Sequence, residues 1–121
     1  MATHIHLSLR EALLDTATDV ARRFRVFEEY GSDTRAAHAL RRRKPGFDPS
    51  DYTDAFVSAL ALFDAACACV EADAADIRHC GWLTEEKTEQ YARALADEHP
   101  RFAASTLRWL VGWVAYYLVI R

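Results

Sequence analysis

Sharp turns are scarce in this sequence. Its 121 residues hold only three prolines and four glycines, so long stretches pass without a residue that readily breaks a helix. No segment alternates apolar and polar residues between turn signals, which removes the pattern of a half-buried strand. Cysteine is sparse too. Cys67, Cys69 and Cys80 are odd in number and crowd into fourteen positions, which excludes a disulfide framework and is expected of a chain kept in a reducing cytoplasm. The opening residues carry no basic stretch leading into an apolar segment, so no secretion signal is expected. A glycine-rich phosphate loop and a Gly-x-Ser-x-Gly nucleophile element are also missing.

What is present is 51% hydrophobic residues, enough at this length to bury roughly two-thirds of the unfolded surface without metal or disulfide staples. Leu13, Ala17, Val20, Phe24 and Phe27 alternate in steps of four and three, predicting a first helix over 8–30 that Gly31 stops. A short second helix, 33–43, starts at Ser32-Asp33, turns Ala36, Ala37 and Leu40 inward, and ends before Lys44-Pro45-Gly46. Asp48-Pro49-Ser50-Asp51 is a strong start signal for a third helix. There Phe56, Leu60, Phe63, Cys67, Val70, Ala74 and Ile77 repeat four-three over three heptads, predicting one helix over 49–78 with Asp64, Glu71, Asp73 and Asp76 on its polar face. Thr84 caps a fourth helix, 84–98, with Tyr91 and Leu95 inward, and Pro100 opens a fifth, 100–120. The expected fold is all-α: one domain, an antiparallel bundle of four long helices and one short.

The fifth helix is apolar on every side, which predicts that the other helices or a second subunit enclose it. Trp109, Trp113, Tyr116 and Tyr117 form an aromatic strip suited to the centre of an interface, so a homodimer through this helix is one expectation. The uncharged run from Trp109 to Ile120 is shorter than the roughly twenty residues a membrane span needs, and extending it back to Phe102 places Arg108 inside, so no membrane span is expected.

Charge is unevenly spread. Residues 1–47 hold nine basic and six acidic side chains, net +3, and residues 48–121 hold six and twelve, net −6. The densest feature is Arg41, Arg42, Arg43 and Lys44, with Arg35 on the same predicted helix. At a helix C-terminus these cations offset the dipole, and beyond that they offer a patch for an acidic partner. Short helix, tight turn and long helix have the outline of a helix-turn-helix, but Asp48 and Asp51 at the start of the long helix would face phosphates, so a nucleic-acid role for the basic tract ranks behind a protein partner.

Candidate chemistry is thin. Arg93 and His99, separated by five residues, match the Arg-x4–6-His spacing and in this resemble HEPN-domain ribonucleases, all-α proteins that usually act as dimers. The resemblance implies a metal-independent RNA cleavage in which Arg93 holds the scissile phosphate and His99 works beside it on the ribose hydroxyl; Ala94 departs from the polar residue frequent in that family. Asp76 and His79 have the i, i+3 spacing of di-iron bundles, with Cys80 next in sequence, but no second copy of the element exists. Cys67 and Cys69 diverge by about 200° around a helix and cannot share an ion. If Met1 is removed, Ala2-Thr3-His4 has the free amine and third-position histidine of a Cu(II) or Ni(II) chelator, read as incidental. No cofactor and no structural metal are expected. Taken together, these features favour a small non-enzymatic interaction module of the immunity, antitoxin, anti-defence or adaptor kind, bacterial and cytoplasmic, with a ribonuclease and a nucleic-acid regulator as alternatives.

Overall fold

The computed structural model describes residues 7–121, so the Ala2-Thr3-His4 arrangement lies outside the described residues. Every regular element among them is helical: α1 Leu9–Phe27, α2 Asp33–Arg43, α3 Pro49–Ala72, α4 Ala74–Cys80, α5 Glu85–Glu98, α6 Ala104–Ala115, and a π-helical turn Tyr116–Ile120. The all-α class expected from the sequence is present, but as six α-helices and a π turn instead of five helices. The chain forms two compact units that meet within α3, at Leu60 and Ala61.

In the first unit, α1 opens on a capping box: the Ser8 hydroxyl accepts the Glu11 N–H while the Glu11 carboxylate accepts the Ser8 N–H. It ends three residues before the predicted stop. Glu28 takes the left-handed conformation, φ 52° and ψ 32°, and the Glu29 N–H reaches back to the Arg23 carbonyl at 3.4 Å. With the Glu28 and Glu29 N–H groups both on that one carbonyl, the left-handed turn closes the helix without glycine, strained by roughly 1 kcal/mol and assisted by the Arg23–Glu29 ion pair at 3.3 Å. Gly31, at φ 78°, serves the following turn. The predicted stripe therefore drifts off the core: Leu13, Ala17 and Val20 are buried, Phe24 is half-buried, and Phe27 is 54% exposed.

α1 packs on α2, whose Ala36, Ala39 and Leu40 are buried. Tyr52, on the first turn of α3, fixes the corner between α2 and α3. Its hydroxyl donates to the Lys44 carbonyl at 2.5 Å and accepts from the Phe47 N–H at 3.2 Å. Phe47 packs edge-on against the Tyr52 ring at 5.9 Å, and Phe24 meets Phe56 edge-on at 5.5 Å. The start of α3 is closed by Asp51, which accepts the Asp48 N–H at 3.2 Å and an ion pair from Arg10 at 2.8 Å.

The buried face of α3 is broader than the bulky heptad stripe, of which Phe56, Phe63 and Val70 are buried. Ala55, Ala59, Leu62 and Ala66 are at most 2% exposed, whereas Leu60 and Cys67 are half-buried at its edge. By length and composition α3 is the one helix among the described residues that could cross a membrane, and 39% of its most apolar window is buried inside the fold. The apolar segment Ala104–Ile120 is shorter than that test requires.

In the second unit the predicted helix 49–78 is interrupted. The Asp73 N–H bonds Val70 three residues back at 3.1 Å, and a new helix, α4, starts after it. Asp73 is drawn out of the polar face by α5: it accepts hydrogen bonds from the Tyr91 hydroxyl and from Lys87 Nζ, the latter at 3.3 Å. α4 ends on Gly81 at φ 83°. Thr84 caps α5 by accepting the Lys87 N–H. Pro100 is not the first residue of a helix. The chain turns through Pro100 and Arg101, with the Phe102 N–H bonded to the His99 carbonyl at 3.4 Å, because Phe102 and Ala103 bury themselves; α6 begins only at Ala104. α6 packs on α5, and the π turn packs on α4.

Candidate functional site

The cations of the basic tract face three directions. Arg43 turns towards α1, where Asp19 accepts it at 2.7 Å together with Arg22 at 2.6 Å and Arg23 at 3.2 Å. Burial works to raise the Asp19 pKa, but hydrogen bonds from these three guanidiniums outweigh it and hold the carboxyl at about 2. Arg43 is thus engaged in fastening α2 to α1. Arg35 and Arg42, two turns apart on one face of α2, border a shallow hollow with His38, Tyr30 and Glu29. Arg41 lies on the opposite side of His38, facing α3. Arg35, Arg41 and Arg42 are exposed and form no ion pair among the described residues, and Lys44 is half-exposed at the end of α2.

Between α2 and the first three turns of α3 runs a groove of about 370 Å³. α2 contributes Asp33, Thr34, Ala37, His38 and Arg41; α3 contributes Pro49, Tyr52, Thr53, Phe56, Val57 and Leu60. The floor is apolar, since Tyr52 and Phe56 are each 3% exposed, and Val57 stands 58% exposed on the α3 rim. The α2 rim is polar and graded, with Asp33 at one end, His38 midway and Arg41 at the other. Sequence reading found the arginines but not the groove, because the residues that form it are split between two helices whose meeting depends on the Tyr52 corner.

The other candidates are dispersed. Arg93 is exposed on α5, and His99 is half-buried at its C-cap with its ring edge-on to Phe102 at 6.3 Å. No hydrogen bond, ion pair or ring contact joins the two. Asp76, His79 and Cys80 are all exposed on α4, and among the described residues no three His, Cys, Asp or Glu side chains are grouped to hold a metal ion. The three cysteines are unpaired. Burial and the nearby carboxylates of Glu71 and Asp64 push the Cys67 thiol up to about 11, so it is a poor nucleophile.

The aromatic strip divides in two. Trp113 and Tyr117 stack on each other at 4.9 Å and 11°, and Arg121 covers the Tyr117 ring at 4.0 Å while donating to the Tyr117 carbonyl at 3.1 Å. Trp109 and Tyr116 instead face outward, 43% and 60% exposed, with Leu118 at 38%. Of the two expected ways of enclosing this helix, by the other helices or by a second subunit, the first leaves these three side chains open. Scans against protein-family models, curated proteins and solved structures return no match for this chain.

Proposed function

We propose that this protein is a non-enzymatic helical interaction module that binds an acidic partner protein through α2. The observation that carries the reading is the division of labour among its cations. One arginine, Arg43, fastens the helix to Asp19, while Arg35, Arg41 and Arg42 are exposed without ion-pair partners among the described residues, Arg41 beside an apolar groove and the other two beside the neighbouring hollow. Exposed cations beside apolar surface steer an oppositely charged partner and then hold it. Three unpaired cysteines suit a reducing compartment such as the cytoplasm. The single antiparallel bundle belongs to the same proposal, and one cooperative unfolding transition seen by several probes tests it.

The test is binding of a captured native partner to the wild type and to the triple variant Arg35→Glu, Arg41→Glu, Arg42→Glu. Binding that weakens with salt and is lost in the variant supports the module. Retention by the variant rejects it, and saturable binding of RNA that the same substitutions abolish replaces it with the nucleic-acid reading.

A second reading, self-association through α6, is favoured by the outward-facing Trp109, Tyr116 and Leu118. Equilibrium sedimentation of wild type and Trp109→Glu decides it: a dimer that the substitution dissociates supports it, and a monomeric wild type ends it. The ribonuclease alternative, Arg93 and His99 across a dimer, depends on that same dimer and is tested by RNA cleavage that His99→Ala abolishes.

A further inference from the structure

We propose that the α2–α3 groove receives an amphipathic helix of the partner, seated with its acidic N-terminal turn at Arg41 and its C-terminal turn at Asp33. This rests on the reading that α2 binds a protein and adds which segment is bound and in which direction. The first argument is shape and polarity. An open trough with a buried aromatic floor, Tyr52 and Phe56, and an exposed valine on its rim accepts apolar side chains spaced along one helix face. The second is charge complementarity. Asp33 and Arg41 stand two turns apart on one rim, both exposed and without ion-pair partners among the described residues.

Direction follows from electrostatics. Carboxylates are favoured in the first turn of a helix and cations in the last, because the exposed amides and carbonyls there carry opposite partial charges. A helix that brings acidic residues to Arg41 therefore brings its N-terminus there, beside the C-terminal end of α2, whose own unsatisfied carbonyls are negative. The two helices then lie antiparallel with their dipoles opposed. A basic or neutral last turn meets Asp33 at the other end. His38, midway along the rim, accepts or donates a hydrogen bond to the polar edge of the guest.

The trough is held open before the guest arrives. The Tyr52 hydroxyl fixes the corner through Lys44 and Phe47, and Asp19 fixes the outer side of α2 through Arg43. A preformed site of this kind spares the ordering cost on the receptor side, leaving that of the guest helix.

The test uses the full chain and two labelled synthetic helical peptides of identical composition, each with leucines on one face. One carries glutamates in its first turn and lysines in its last; the other has them exchanged. Fluorescence anisotropy is expected to show the first peptide binding at least about fivefold more tightly than the second. Val57→Asp, at an exposed position where folding is undisturbed, is expected to abolish both, and Asp33→Lys with Arg41→Glu is expected to reverse the preference. Equal affinities, absence of binding, or insensitivity to Val57→Asp would overturn the proposal. So would a wild-type dimer that Val57→Asp dissociates, which would give the groove to a second copy. The captured native partner separates the two levels of argument. If it is lost from the triple arginine variant but still binds Val57→Asp, the groove proposal fails and the module stands; if α2 binds no protein at all, both fail.

Discussion

Replacing Asp19 by Asn probes the point where charge and fold are joined in this molecule. The native carboxylate receives three guanidiniums, from Arg22, Arg23 and Arg43, and Arg22 is only 9% exposed. Its pKa falls from an ordinary 3.8 to about 2 despite partial burial. A folded-state pKa below the unfolded one means stability that is present above the unfolded value and lost as pH falls through the folded value. The full shift corresponds to about 2.5 kcal/mol near neutrality. Arg23 and Arg43 are 41% and 45% exposed, so solvent screening reduces this to about 1.5 kcal/mol.

Asn is neutral at every pH and stands in for the protonated carboxyl. At pH 6 we expect Asp19→Asn to lower the unfolding free energy by about 1.5 kcal/mol, a drop in Tm on the order of 5 °C. By pH 3 the carboxyl of the folded protein is still mostly ionised and that of the unfolded chain mostly protonated, so about half of the difference remains. Urea titrations of both proteins between pH 6 and pH 3 measure this directly. Adding Arg43→Met to each closes a double-mutant cycle, with an expected coupling of about 0.5–1 kcal/mol. Equal midpoints at pH 6, or a difference that does not shrink towards pH 3, would refute the account.

Three further outcomes follow from the geometry. Glu28→Gly should stabilise the protein by about 0.5–1 kcal/mol in denaturant titration, since it relieves a left-handed non-glycine residue at the end of α1; a loss of stability would mean that the Glu28 side chain makes a contact worth more than the strain. Tyr52→Phe should cost about 1–2 kcal/mol, because the Lys44 carbonyl loses its donor and the Phe47 N–H its acceptor, and hydrogen exchange of the 44–48 corner should accelerate ahead of α1. With a thiol-disulfide reagent at pH 8, exposed Cys80 should react well before Cys67, whose thiol at a pKa of about 11 is only ~0.1% ionised there; comparable rates in single-cysteine variants would contradict the burial of Cys67.

The helices were legible in the sequence because few residues here can break one, and the turn signals at Gly31, Pro45-Gly46 and Gly81 mark real corners. What misled was size. Reading the bulky residues placed the core face of α3 along Phe56, Leu60, Phe63 and Cys67; Phe56 and Phe63 are buried there, but Leu60 and Cys67 sit at its edge, and Ala55, Ala59 and Ala66, which that stripe leaves out, are at most 2% exposed. Alanine gives a weak hydrophobic signal, but its small side chain lets neighbouring backbones approach, so it occupies the tightest part of a helix face. The break at Asp73 had no local signal, because its cause is Tyr91 and Lys87 on α5, fourteen or more residues away. The start of α6 was misplaced for a related reason: Pro100 suits a first helical position, but burial of Phe102 decides the path of the chain.

The same reasoning separates what the arginine tract could reveal from what it could not. Composition makes Arg41, Arg42 and Arg43 equivalent, whereas successive residues on a helix point about 100° apart and so meet three different surroundings. Arg43 meets a carboxylate, Arg41 an apolar trough, and Arg42 a hollow beside Tyr30. A helix of eleven residues with three buried side chains has little packing to hold it, and isolated helices of that length are marginal. The Asp19–Arg43 link therefore does more for α2 than an average surface ion pair, and its loss would blunt the groove before any guest residue is touched. Partner binding and the neutral-pH stability of the first unit should consequently weaken together in Asp19→Asn, whereas Arg41→Glu should impair binding and leave that stability near wild type.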